Sequence, residues 1–363
     1  MITYTVKTKS KKYPIFIGKK ILQNIGKIQK KRLPNVKKIL LISTRKIPLI
    51  YKLIVKKSFS KSLSFTILNI NDGEKSKNFN NTIKITNYLS KNNFTRDDLI
   101  ISLGGGVVGD LSGFASSIFK RGIKFIQIPT SLLAQVDSSI GGKTGINNKY
   151  GKNLIGTFSQ PEFVMIDLST LKTLPSREFV SGFAEILKYS LIMNSKFFVW
   201  LEKNSHHILK KKKLSIIQKA VLESCNCKSI IVKKDEKEKN IRAILNFGHT
   251  FAHALETKFN YSSKINHGEA VLIGMIVACK ISLNYKLLSF KEFDRIINFY
   301  KLNNFNYKYN NFLNTKNIGT FLKIMKKDKK FKGNQINLIL LKNIGKAVIK
   351  KADLNKSFFP LLK

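Results

Sequence analysis

From residue 37 the chain alternates short apolar runs rich in branched residues with longer amphipathic stretches. That alternation restricts the first half to βαβ units around a parallel sheet. Strands are predicted over residues 38–43, 65–70, 99–103, 124–128 and 163–167, each ending in a turn that carries Asp, Gly, Pro or Ser. In such sheets ligands sit beyond the carboxyl ends of the strands. The turns at Asp72-Gly73-Glu74, at Gly104 and at Pro129-Thr130-Ser131 should therefore share one crevice. After about Leu174 helical spacing takes over, with Pro175, Ser176 as helix cap and Glu178 marking the first helix. Residues 336–341 read equally as a late strand or the end of a buried helix. At 363 residues the chain exceeds what one hydrophobic core serves. The expected organisation is an α/β domain with a parallel sheet over 1–174 and a mainly α-helical domain over 175–363.

Charge bears on function. Against 21 Asp+Glu stand 66 Lys+Arg, a net charge of +45 that raises nucleic acid or an anionic membrane as a partner. Arginine accounts for only seven of the basic residues, so the planar forks that read guanine and clamp phosphate are scarce. Lysine runs such as 210–213 and 326–330 are scattered through both halves, beside abundant Asn, Ile and Phe, which is how AT-rich codons bias a sequence. The expectation is a lysine-coated protein with no specific nucleic-acid partner. Cys225, Cys227 and Cys279 form no paired framework and no zinc ribbon, which points to a reducing compartment. Residues 1–10 lack an apolar signal region, and the longest apolar run, 270–279, is about half what a bilayer requires. No membrane segment and a cytoplasmic location are expected.

Chemistry-bearing segments are distinct. The strand over 99–103 runs into Gly104-Gly105-Gly106-Val107-Val108-Gly109-Asp110 and then a helix, a G-x-G-x-x-G pattern in strand-to-helix context. Glycines there let backbone approach a pyrophosphate at the positive helix end. A tight structural turn satisfies the same pattern, and the acidic residue expected about twenty positions on is absent. Asp72 and Glu74 are alternative ribose partners. The following loop, with Asp137, Lys143, Lys152 and Asn153, fails P-loop spacing but suits a polyhydroxylated anionic substrate, or is simply solvated. His206 and His207 lie in a lysine-rich, surface-like segment. His249 and His253 are spaced i, i+4 on one helical face, His267 follows, and Glu185 places a carboxylate in the apolar run Gly182-Phe183-Ala184-Glu185-Ile186-Leu187-Lys188. Together they point to a divalent metal site, and spacing alone would pair His249 with His253.

Taken in order, these segments resemble the 3-dehydroquinate synthase family, the NAD- and zinc-dependent sugar phosphate cyclases of the shikimate pathway. The likeness runs through Asp72-Gly73-Glu74, residues 104–110, Pro129-Thr130-Ser131, 136–156, 184–189, 242–256, 266–269 and Asp328-Lys329-Lys330. It implies a nucleotide-binding α/β domain, a helical C-terminal domain, a homodimer, and NAD with Zn2+ or Co2+ as cofactors. Carried over by the resemblance, Asp72, Glu74, Lys77, Gly105, Gly106, Val107, Val108, Gly109, Asp110, Thr130, Ser131, Lys143, Lys152, Thr170, Leu171, Lys172 and Thr173 are NAD positions. Glu185, His249 and His267 become the metal ligands, which leaves His253 beside the substrate. Asp137, Lys143, Asn153, Lys188 and Arg242 match substrate positions. Lys152, Glu238, Asn246, His253 and Lys329 match the phosphate and catalytic set, and Arg121 acts from the partner subunit. Ser76, Lys239-Asn240 and Asn148 depart from the family, where an aromatic, a glycine-containing turn and a histidine are usual.

The reaction so implied converts 3-deoxy-D-arabino-heptulosonate 7-phosphate to 3-dehydroquinate and phosphate. It proceeds by NAD-mediated transient oxidation, phosphate elimination, reduction, ring opening and intramolecular aldol closure. The rivals are a sister sugar-phosphate cyclase, an NAD- and metal-dependent polyol dehydrogenase and, from another class, a basic nucleic-acid-binding protein.

Overall fold

Runs such as Ile39-Leu40-Leu41-Ile42 are apolar at every position, which suits a strand covered on both faces. The computed structural model, which describes residues 1–259, 262, 264–306, 308, 331–332 and 335–353, builds a seven-stranded sheet from such runs. Its elements in chain order are β1 (Ile2–Lys7), β2 (Lys12–Gly18), α1 (Ile25–Arg32), β3 (Lys38–Thr44), α2 (Leu49–Lys57), β4 (Ser64–Ile70), α3 (Phe79–Lys91), β5 (Leu99–Gly104), α4 (Gly106–Ile118) and β6 (Lys124–Pro129). A separate antiparallel hairpin, β7 (Lys143–Asn148) and β8 (Gly151–Phe158), precedes β9 (Phe163–Asp167), the last strand of the sheet.

The strand order is β1-β2-β9-β6-β5-β3-β4, parallel throughout except where β1 pairs antiparallel with β2. Register sets Leu40, Ile100 and Phe125 side by side, and all three pack with Ile85 and Leu89 of α3 and Leu111 and Phe114 of α4. Their chain neighbours Ile39, Leu41, Leu99, Ile101 and Ile126 fill the opposite core with Ile25 of α1 and Val55 of α2. The two-residue period of a strand thus feeds two cores from one sheet.

The five predicted strands are β3, β4, β5, β6 and β9, to within one residue at each end. The β1–β2 and β7–β8 hairpins were not foreseen. By contacts the chain divides into two units, Met1–Pro175 with Ile217–Lys237, and Ser176–Ile216 with Glu238–Lys363. Most of α7 (Leu214–Lys234), which the sequence places in 175–363, therefore clusters with the first unit. Burial pushes the Cys225 and Cys227 thiols of that helix up to about 12, so neither is a nucleophile near neutral pH.

The second unit contains α5 (Ser176–Met193), α6 (Ser195–Leu209), α8 (His249–Lys258), α9 (His267–Asn284) and α10 (Phe290–Leu302). Strand-like runs do return in it: β10 (Phe331–Lys332), β11 (Gln335–Asn343) and β12 (Lys346–Asp353) form an antiparallel sheet, and residues 336–341 are strand. Three lysines and an aspartate among its eight residues hide β12 from periodicity. Among the described residues α9 alone is long and apolar enough to cross a membrane, yet Ala270 through Cys279 are all buried within the protein. It is apolar all round because it is the unit's central helix.

Two glycines let its neighbours close on it. A Cβ on Gly268 would stand 2.2 Å from Ser181 Cα of α5, and one on Gly274 would stand 2.1 Å from the carbonyl oxygen of Gly248, which caps α8 at φ +78°.

Candidate active site and metal centre

In the first unit, chemistry gathers at the carboxyl ends of β4, β5, β6 and β9. β5 ends at Gly104, Gly105 caps α4, and the first-turn N–H groups, through Val107, Val108 and Gly109, lie at the helix's positive end. A Cβ on Gly105 would meet Ser131 Oγ at 3.5 Å, and one on Gly106 would meet Ser138 Oγ at 3.1 Å. The glycine turn therefore faces the Thr130-Ser131 turn with only backbone presented, a cradle that side chains would fill. Thr130 N–H donates to Gly104 O at 2.9 Å and fixes the two turns together.

Beside this cradle Lys77 is buried and donates to Asp110 Oδ2 at 2.6 Å and to Asn153 Oδ1 at 2.5 Å. Burial works against its charge, but the carboxylates of Asp110 and Glu74 more than restore it and hold Lys77 above the ordinary lysine range. Asn147 donates to Glu74 Oε1 at 2.8 Å, and its own Oδ1 accepts from Asn153 N–H at 2.8 Å. This network ties the Asp72-Gly73-Glu74 turn to the β7–β8 hairpin, whose strands carry Lys143 and Lys152. Asn153 sits at φ +54°, a strained conformation for a residue with a side chain.

Residues Thr170, Leu171, Lys172 and Thr173 lie in a 3-10 turn after β9, where Gln135 Nε2 donates to Thr170 Oγ1 at 3.3 Å. Asp137 lies in the five-residue π-helical turn Ala134–Ser138, an irregularity frequent at functional sites. Lys228 of α7 donates to Asp137 twice, to Oδ1 at 2.6 Å and to the carbonyl at 2.7 Å. Arg121 is exposed on a turn in which Lys120, Arg121 and Gly122 all have positive φ, held by Arg96 Nε donating to Lys120 O at 2.6 Å.

The second unit assembles a different cluster. Glu185 is fully buried on α5, His249 opens α8 and His267 opens α9. One ligand atom from each lies within 4.8 Å of the others. Glu185 Oε1 is 3.6 Å from His249 Nε2 and 4.0 Å from His267 Nε2, too long for hydrogen bonds. Donors at ~2.0–2.1 Å from one tetrahedral cation stand roughly 3.3–3.4 Å apart, so the spacing suits a shared ion.

Neither oxygen of Glu185 accepts a hydrogen bond among the described residues, although the Lys188 ammonium pairs with Oε2. Among those residues Oε1 has neither a hydrogen bond nor an ammonium beside it, and a buried carboxylate oxygen left so is costly. A bound divalent cation resolves that, and two imidazoles with one carboxylate are a zinc- or cobalt-type donor set. His253 stands outside the trio, edge-on to His249 with ring centroids 5.6 Å apart.

The trio's geometry follows from close packing. Gly268 N–H donates to Ser181 Oγ at 3.0 Å, which docks the start of α9 on α5 one turn before Glu185. Arg177 grips Glu269 through two 2.7 Å bonds, and Glu269 closes a capping box with Asn266, so both residues flanking the His267-Gly268 pair are fixed. Nearby Arg242 is buried in the 3-10 turn Ile241–Asn246, and Asn246 Nδ2 donates to Glu238 Oε1 at 3.1 Å. Glu238 is another positive-φ residue, at +54°. Lys329 lies outside the described residues.

Three residues were not singled out from sequence: Lys228, Asn147 and Glu256. The criterion that finds Glu185, a charge set on an apolar helical face, also finds Lys228 among buried Cys225, Cys227, Ile231 and Val232. In so lysine-rich a chain it raises no flag. Asn147 offers no comparable signal.

Solved structures share the fold at low identity, two of them with NAD+ and a divalent metal bound. 2-Deoxy-scyllo-inosose synthase, complexed with carbaglucose-6-phosphate, NAD+ and Co2+, superposes with a TM-score of 0.84 at 23% identity over 99% of each chain. 2-Epi-5-epi-valiolone synthase from Streptomyces hygroscopicus, with NAD+ and Zn2+ bound, gives 0.85 at 21% identity over 98% of this chain and 97% of its own.

The fold is thus one used by synthases crystallised with NAD+ and Co2+ or Zn2+. Residues 67–181 match the family described as 3-dehydroquinate synthase N-terminal, and residues 182–331 match 3-dehydroquinate synthase C-terminal. The 3-dehydroquinate synthase of Pelagibacter ubique is 48% identical over 353 residues, 96% of this chain and 95% of its own length. The chain belongs to the 3-dehydroquinate synthase family.

Proposed function

We propose that the protein converts 3-deoxy-D-arabino-heptulosonate 7-phosphate to 3-dehydroquinate and phosphate, as a homodimer in the cytoplasm. The observation that carries this reading is the Glu185, His249 and His267 cluster, built by three helices of a chain 48% identical to a curated enzyme of that activity. NAD on the glycine turn would take a hydride and return it, and a divalent cation on the cluster would polarise substrate hydroxyls. Every other task falls to the chain's own groups.

In the first unit the α4 N-terminus and Thr130-Ser131 receive the pyrophosphate of NAD, while Asp72, Glu74 and Lys77, with the 170–173 turn, hold its remainder. Lys77 stays charged because Asp110 and Glu74 flank it. Asp137, anchored by Lys228, accepts a substrate hydroxyl, and Lys143, Lys152 and Asn153 supply donors to anionic groups. In the second unit the buried Arg242 fork pairs with a carboxylate, Lys188 offsets the charge of Glu185, and Asn246 is aimed by Glu238. His253, next to the cluster, carries protons at the departing phosphate oxygen. Arg121, exposed on its strained turn, serves the partner subunit's site.

NAD accounting tests this against a polyol dehydrogenase. With NAD+ far below substrate, phosphate release and product should match one to one over many turnovers with no NADH accumulating, and a chelator should stop both. One NADH formed per substrate without phosphate release would assign the dehydrogenase instead.

A further inference from the structure

We propose that Glu256 is a positioning residue for the metal ligand His267, the carboxylate that aims its ring with Nε2 toward the ion. The inference rests on the metal reading above. Each imidazole has two nitrogens, and the one that faces an acceptor keeps the proton while the other offers its lone pair. Both rings turn Nε2 to Glu185 Oε1. Their Nδ1 atoms point away, and each faces an oxygen: for His249 the carbonyl of Phe247 at 3.2 Å, and for His267 the Oε2 of Glu256 at 3.6 Å, an ion-pair contact that a shift of about 0.5 Å would close to a hydrogen bond. Metal-bound histidines recurrently have such an outer partner, a carbonyl or a carboxylate.

The two rings are not equally constrained. His249 is 12% exposed and its partner is backbone of the preceding turn. His267 is 31% exposed at the first position of its helix, so less of its ring is enclosed by packing. Glu256, only 10% exposed, sits on α8 at i+7 from His249, so one helix carries a ligand and orients another from α9. Helix α8 thereby sets both imidazoles.

The test compares metal-free wild type with Glu256→Ala, Glu256→Gln and Glu256→Asp by zinc titration against a chromophoric chelator and by the visible spectrum of the Co2+ forms. Glu256→Ala and Glu256→Asp should bind zinc roughly 10- to 100-fold more weakly and show altered Co2+ bands. Glu256→Gln, whose amide oxygen accepts in the same place, should keep most of the affinity and the wild-type bands. Melting of the metal-free proteins separates a folding defect from a metal defect, and if Glu256→Ala does not fold, Glu256→Asp carries the same comparison. Wild-type affinity and bands in Glu256→Ala, or equal losses in Glu256→Gln and Glu256→Ala, would overturn the proposal. A wild-type protein that binds no zinc, or a His267→Ala that binds it unchanged, overturns the metal reading itself.

Discussion

Replacing Gly268 by alanine would put a Cβ 2.2 Å from Ser181 Cα and 2.6 Å from the Ser181 carbonyl oxygen. Carbon atoms in contact settle at ~3.5–4.0 Å, so the start of α9 and the middle of α5 must part by roughly 1.3 Å. His267 immediately precedes the substituted residue, and Glu185 follows Ser181 by one turn of α5. Metal–ligand distances tolerate only about 0.2 Å, so this displacement separates the ligands beyond what one ion can bridge.

Overpacking costs about 1–3 kcal/mol. The strained Gly268–Ser181 hydrogen bond adds about 1 kcal/mol, and improved helix propensity returns less than about 1 kcal/mol. A net loss near 2 kcal/mol should lower the Tm of the metal-free protein by about 4–8 °C for a unit of this size. Zinc affinity, measured by chelator competition, should fall by more than roughly 100-fold.

Gly113→Ala is the control. Its Cβ would stand 2.3 Å from Thr144 Cγ2, comparably tight but within the first unit. It should lose stability and keep zinc. Gly268→Ala with wild-type zinc affinity would refute the packing argument, and equal zinc loss in Gly113→Ala would attribute the effect to general instability.

Three further outcomes are expected. His253→Ala should retain zinc by metal analysis while phosphate release falls about 100-fold or more; loss of the metal would restore the i, i+4 pairing. Lys77→Met leaves Asp110 unpaired, and with side chains 4% and 20% exposed the loss should be roughly 3 kcal/mol in denaturant unfolding. Adding Asp110→Asn should recover much of it, and no recovery would sever the pair. Glu236 is disfavoured by burial but held below the usual carboxylate range by Ser10 and Gln160, so its contribution is present above its unfolded pKa and is lost as pH falls through the folded one. The stability gap between wild type and Glu236→Gln should therefore be widest near neutrality and shrink in acid; a gap independent of pH between 3 and 7 counts against the assignment.

Four of the five predicted strands, β3, β5, β6 and β9, were legible because they are buried on both faces, which concentrates branched apolar residues into runs such as Leu99 to Leu103. The hairpins were not, for a physical reason. β8 has Lys152, Asn153, Gly156 and Thr157 in eight residues and lies outside the sheet, so no buried face imposes alternation on it. β1 pairs on one side only, and its burial is confined largely to Val6. The return of α7 to the first unit leaves no local trace at all, since helix periodicity reports that a face is buried but not by which core.

The same limit explains what the site reading could and could not take from spacing. Helical spacing correctly put His249 and His253 on one face of α8, but a shared face does not decide which atoms converge. Convergence is decided by Gly268 against Ser181 and Gly274 against Gly248, contacts between residues 87 and 26 positions apart that draw α5 and α8 onto α9. Those contacts bring His267, with no helical relation to His249, to a ring-centroid distance of 5.4 Å. His253, one turn further along α8, is left beside the trio. Glu256, a further turn on, reaches the far nitrogen of His267. A three-residue metal centre of this kind is written in the sequence as much by the glycines that let helices touch as by the residues that donate, and only the donors carry a recognisable chemistry.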